Sequence, residues 1–156
     1  MPCFAAMATR RRASPTQTRA PVRDARLRRL LVAALAARQR AWAPYSNYQV
    51  GAAVLGDDGR VYAGCNVENG SYGACLCAER NAVGQAIARG ARRILAAVVV
   101  TPSSPPAPPC GICLQTFAEF ADGSLPVLLA NPEDEERRFT LDELLPHRFD
   151  ASALPG

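Results

Sequence analysis

"CAERNAVGQAIARGARRILAAVVVT", residues 77–101, sets a helical pattern directly before a buried strand. Residues 77–93 are helix-compatible, with Cys77 near the first turn and Gly90 near the end, where a left-handed residue commonly closes a helix. The run "RILAAVVVT", residues 93–101, is then apolar without alternation, as in a strand covered on both faces. A helix feeding such a strand predicts an α/β fold.

The flanks extend this order. Upstream, "YQVGAAVLGDDGRVYAGCNV" predicts two strands, about 48–55 and 60–66, joined by a turn at Asp58-Gly59. Before them, "LRRLLVAALAARQRAW", residues 27–42, spaces Leu27, Leu31 and Leu35 as an amphipathic helix ended by Pro44. Downstream, "PSSPPAPP" predicts a rigid loop, "CGICLQTFAEFA" a helix, "LPVLLAN" a strand and "TLDELLP" a short helical turn. The run "EDEERR", residues 133–138, reads as a charged turn. No internal repeat is present. The order helix, hairpin, helix, strand, helix, strand predicts a mixed sheet with helices on its faces.

A chain of 156 residues suits one domain. The formal charge of +4 is uneven. Residues 1–29 hold eight arginines against Asp24 alone, which is +7 and leaves −3 for the remainder. The body is thus faintly acidic, which argues against a polynucleotide-binding surface. Residues 1–23 read as a basic tail, either disordered or preceding the true start; an organellar transit peptide is the other reading. Residues 24–150 read as the folded domain and 151–156 as a C-terminal tail. No apolar run approaches the roughly 18 residues of a membrane span. Six cysteines without a secretory signal point to a reducing, cytoplasmic setting.

Four of those cysteines form two clusters, Cys75 with Cys77 and Cys110 with Cys113. Together they could close a structural four-thiolate zinc site. Alternatively, three thiolates leave a fourth position open for water. Both cluster positions fall where a helix begins, the end of an α/β sheet at which ligands sit. Glu79, two residues beyond Cys77, could then enter the same cavity without binding metal and move a proton released by zinc-activated water. Three thiolates leave a net negative site; helix N-termini and Arg80 would offset part of that charge.

The pair "CAER" (77–80) and "PCGIC" (109–113), with "APYSNYQVGAAV" (43–54), "GCNVEN" (64–69) and "ELLPHRF" (143–149), closely resembles the zinc-dependent cytidine deaminases. The likeness runs from about Leu30 to Phe149 and fits the free-nucleoside branch, in which cysteine is the first ligand. It implies a three-layer fold, a mixed β-sheet with helices on both faces. One zinc ion per chain would be held by Cys77, Cys110 and Cys113. Zinc-activated hydroxide would attack C4 of cytidine or 2'-deoxycytidine, with Glu79 as proton shuttle, giving the uridine and ammonia. The resemblance places Asn66 and Glu68 at the sugar hydroxyl, Tyr48 where the family usually has a stacking Phe, and Ala78 at the base. It makes Phe149 the aromatic that short-chain members pass to a neighbouring subunit, and so implies a homotetramer with shared active sites. Two other functions stand beside this one: deamination of a modified cytosine nucleoside, and a noncatalytic zinc-binding structural role.

Plainer readings accompany these residues. Cys75 reads as a buried small hydrophobe and Cys65 as core; Tyr48 and Trp42 suit ordinary core aromatics. Asn66 and Glu68 fit a solvated strand face, and Cys3 and His147 have no evident role. One departure stands out: Leu114 follows the last cysteine where the family commonly has Arg.

Overall fold

The computed structural model describes residues 24–149. The tails at 1–23 and 151–156, with Cys3, lie outside the described residues. The elements are α1 (Ala25–Arg38), β1 (Gly51–Gly56), β2 (Val61–Cys65), a 3-10 turn (Tyr72–Ala74), α2 (Ala78–Ala88), β3 (Ile94–Val100), α3 (Gly111–Phe120), β4 (Pro126–Ala130), β5 (Glu136–Thr140) and α4 (Leu141–Leu144).

The strands form one sheet in the order β2-β1-β3-β4-β5. Only β3 and β4 are parallel, joined through α3 as a crossover requires; the other pairs are antiparallel. Alternation along the strands divides the core. Ala53, Leu55, Val98, Val100 and Leu128 face α1 through Leu27, Leu30 and Ala34. Ala52, Val54, Ala97, Val99 and Leu129 face Ala82, Val83 and Ala86 of α2 and Phe117 of α3. The fold is therefore the expected three-layer α/β arrangement, with a mixed sheet between helices. Two glycines admit the helices to the sheet. A Cβ at Gly51 would lie 2.1 Å from the Ala34 carbonyl oxygen, and one at Gly64 would lie 2.7 Å from the Ala78 carbonyl oxygen.

Several sequence expectations need correction. The first helix starts at Ala25, because the Asp24 side chain caps it by accepting from the Arg26 N–H at 2.9 Å. It ends at Arg38, short of Trp42, because the Trp42 backbone pairs instead with Asn66 and Glu68. Trp42 is consequently 61% exposed and not a core aromatic. The strand expected from residue 48 begins at Gly51, since the Asn66 side chain occupies the Val50 N–H and the Tyr48 carbonyl. Residues 136–138 are not part of a turn. The turn is held at 131–135 by Asn131, whose Oδ1 accepts from the N–H groups of Glu133 and Glu135, and the chain then pairs with β4 as an edge strand. Leu95 interrupts the otherwise buried β3 and is exposed.

Candidate active site

The loop after β3 and the start of α2 converge at one end of the sheet. Cys77 is the N-cap residue of α2 and Cys110 that of α3, so both sulfurs sit where free backbone N–H groups and the helix dipole favour negative charge. Cys113, one turn into α3, is fully buried. The sulfurs of Cys77, Cys110 and Cys113 lie within 4.8 Å of one another, with Cys110 and Cys113 3.6 Å apart. Sulfurs around a tetrahedral zinc, with bonds of about 2.3 Å, stand roughly 3.8 Å apart, so the three fit one ion. Cys75 is not among them. Its sulfur is half-buried and engages the backbone of Asn69, accepting from the N–H at 3.3 Å and donating to the carbonyl at 3.6 Å. It is neither core residue nor fourth ligand, which removes the closed four-thiolate site. Cys65 is likewise half-buried, its thiol donating to the Arg40 carbonyl at 3.5 Å.

The electrostatics follow from this packing. A hydrogen bond from Cys113, assisted by the Arg80 charge, brings the Cys77 thiol down to about 5. That bond and burial push Cys113 up. Glu79 is only 5% exposed. Burial raises its carboxyl above the ordinary range, and the Cys77 charge acts in the same direction. Arg80 donates from Nη2 to the Cys75 carbonyl at 2.6 Å, which fixes the guanidinium beside the ligand loop.

Cys77, Ala78, Glu79 and Cys110 line a cavity of about 240 Å³ with Tyr48 and Asn66. Six of the residues singled out in the sequence thus share one concave space. Tyr48 is half-buried at its wall. Asn66 accepts from the Val50 N–H at 2.8 Å and donates to the Tyr48 carbonyl at 2.9 Å, so it shapes the wall as well as facing the space. Glu68 lies in an adjoining hollow, where it accepts from the N–H groups of Tyr45 at 2.9 Å and Ser46 at 3.2 Å, and from the Ser46 hydroxyl. That hydroxyl holds the Glu68 carboxyl below the usual range. Phe149 is 60% exposed, with its carbonyl bound by Gln115 Nε2 at 2.7 Å. Leu114 is buried in the core beside Phe117, so this position packs and brings no cation.

Thr101 and Ala107 also line the cavity and were not singled out in the sequence. Thr101 is buried, and its Oγ1 accepts from the Ala107 N–H at 3.0 Å, folding the proline-rich loop back on itself. The signal was a small polar residue at the C-terminal end of a buried strand, where ligands of such sheets bind.

A description of the cytidine and deoxycytidylate deaminase zinc-binding region matches residues 25–129. The chain is 42% identical over 126 residues to the cytidine deaminase of Sporosarcina psychrophila, covering 81% of this chain and 93% of that one. It is 44% identical over 125 residues to that of Halalkalibacterium halodurans, covering 80% and 95%. The crystal structure of cytidine deaminase from Burkholderia pseudomallei aligns with a TM-score of 0.75 at 46% identity, over 78% of this chain and 98% of that chain. Likeness along most of the chain agrees with the three-thiol centre found in it, and the chain belongs to the cytidine and deoxycytidylate deaminase family.

Proposed function

We propose that this chain converts cytidine and 2'-deoxycytidine to the corresponding uridines by hydrolysis, releasing ammonia. The observation that carries this reading is the buried Glu79 carboxyl sharing one cavity with Cys77 and Cys110 of the three-thiol cluster. One zinc ion per chain fits that cluster; when bound it supplies Lewis-acid activation of water near neutral pH. The protein's own groups do the rest. Glu79, buried in the same cavity, takes a proton from the attacking water and passes it to N3 of the cytosine ring, then takes the proton of the new C4 hydroxyl and passes it to the departing amine. Arg80 offsets part of the negative charge of the ligand set. Tyr48 and Ala78 bound the space for the base, and Asn66 and Glu68 face the sugar.

The catalytic unit spans residues 24–150 and acts in the cytoplasm, consistent with five free cysteines among the described residues. No helix among those residues is long and apolar enough to cross a membrane. The working assembly is a homotetramer in which Phe149 reaches a neighbour's site; its outward ring supports this. The test is cytidine turnover by purified protein of measured zinc content, followed by the ultraviolet change as cytosine becomes uracil. Turnover with one zinc per chain is expected. Zinc at that ratio without turnover on cytidine or 2'-deoxycytidine would overturn the substrate assignment.

A further inference from the structure

Two walls of the cavity are joined by a single side-chain hydrogen bond. One wall is residues 43–50, leading into β1; the other is the loop 101–110 between β3 and α3, which ends at Cys110. The hydroxyl oxygens of Tyr48 and Ser103 lie 2.5 Å apart, partly buried, across that gap. Among the described residues this is the one hydrogen bond joining the two segments.

Each partner is itself held. Tyr48 donates from its N–H to Ser46 Oγ at 2.9 Å, and Ser46 in turn binds Glu68. Its carbonyl accepts from Asn66. On the other side the Ser103 carbonyl accepts from Asn131 Nδ2 at 3.2 Å, and Ser104 Oγ donates to Glu135 at 2.8 Å. The loop is thus braced against the turn after β4, and the Tyr48 backbone against Ser46 and Asn66. Beyond the β1–β3 ladder, which reaches Gly51 and Val100, the hydroxyl pair is the one hydrogen bond that ties these two segments together. A tyrosine ring needs no hydroxyl to present an apolar face, so stacking does not account for the contact.

We propose that Tyr48 and Ser103 form a latch that positions both cavity walls, fixing the Tyr48 ring and the loop that carries Cys110 at the spacing a cytosine nucleoside needs. Their role is positioning, not proton transfer. The kinetic expectation rests on the deaminase reading above; the structural one does not.

Two single-oxygen deletions, Tyr48→Phe and Ser103→Ala, test it with their double variant. One net hydrogen bond corresponds to about a fivefold effect. Each single variant should raise KM for cytidine about fivefold while kcat falls less, and the double should match the singles, since the bond is lost once. Amide exchange at Ala107, whose N–H is held by Thr101 Oγ1, should quicken by a similar factor in both variants. Unchanged exchange would overturn the latch whether or not the protein turns over cytidine. Faster exchange with KM unmoved, or KM effects that multiply in the double variant, would overturn its positioning role. A wild type that exchanges as expected yet is inactive on cytidine and 2'-deoxycytidine would sink the substrate reading and leave the latch standing on the exchange data.

Discussion

Asn81 donates from Nδ2 to the carbonyl oxygen of Cys65 at 2.8 Å, and Gln85, one helical turn on, does the same to Ala63 at 2.8 Å. Strand β2 is the edge of the sheet. Two α2 side chains therefore satisfy its outward carbonyls and pin the helix that begins after Cys77. The Asn81 bond is partly buried and the Gln85 bond exposed. Asn81→Ala should cost about 1–2 kcal/mol, because a partly buried acceptor loses its partner, and Gln85→Ala clearly less. Denaturant unfolding at constant m-value checks this. Equal losses would mean that burial does not decide the effect.

Gly64 tests the same junction from the strand side. An added Cβ would lie 2.7 Å from the Ala78 carbonyl oxygen and 2.7 Å from the Ala82 nitrogen, both helix backbone. Neither can rotate away, so Gly64→Ala must push α2 off the sheet. About 1–3 kcal/mol of stability should go. Since α2 carries Glu79 and begins at Cys77, kcat should fall at least tenfold under conditions where the variant remains folded. A variant with native turnover would show that α2 tolerates the displacement.

Much of this arrangement was legible because local pattern and tertiary role coincide. The apolar run at Ile94–Val100 is buried between two helix layers except at Leu95, and the Asp58-Gly59 turn has the positive φ that Gly59 allows. Cys77 and Cys110 could be placed at helix starts from spacing alone. What escaped was set by distant partners. Glu136–Thr140 is charged and forms a strand only because β4 offers an edge. Trp42 leaves its helix because Asn66 and Glu68 pair with its backbone. Cys75 matches the ligand spacing, yet its sulfur turns to Asn69. Ser103 gave no signal, since its partner Tyr48 is 55 residues away.

Glu79→Gln separates proton transfer from metal binding. Glutamine keeps the shape and fits the same buried space without carrying the proton. Zinc content should stay at one per chain while turnover drops by about 10²–10⁴, the usual range for losing a general acid–base group. Activity within tenfold of wild type would remove Glu79 from the shuttle role. Loss of zinc in this variant would instead make the residue structural.

The ligand cysteines should differ in how much they matter without metal. Cys113 is fully buried and Cys110 exposed. Serine at either position should abolish zinc retention and turnover. In metal-stripped protein, Cys113→Ser should additionally cost about 1–3 kcal/mol, because a hydroxyl is costlier to bury than a thiol and has only weak sulfur partners there, whereas Cys110→Ser should be near neutral. Chelation of the wild type followed by zinc addition should restore activity; failure to restore it would indicate that the ion also holds the fold.

Glu68 gives a pH dependence whose sign is set by its partners. Hydrogen bonds from Ser46, then from the Tyr45 backbone, hold its folded pKa below the ordinary 4.5. Its contribution to stability is therefore complete above the ordinary value and is lost as pH falls through the lower folded value. Glu68→Gln cannot titrate. The Tm advantage of wild type over this variant should be constant at neutral pH and shrink as pH drops below 4.5. Glu68 is only half-buried, so the effect is modest, and comparing the two proteins cancels acid effects common to both. An advantage that stays level into acid would mean that Ser46 and Tyr45 bind the neutral group equally well, and that the charge of Glu68 does not order the 45–46 turn beneath Tyr48.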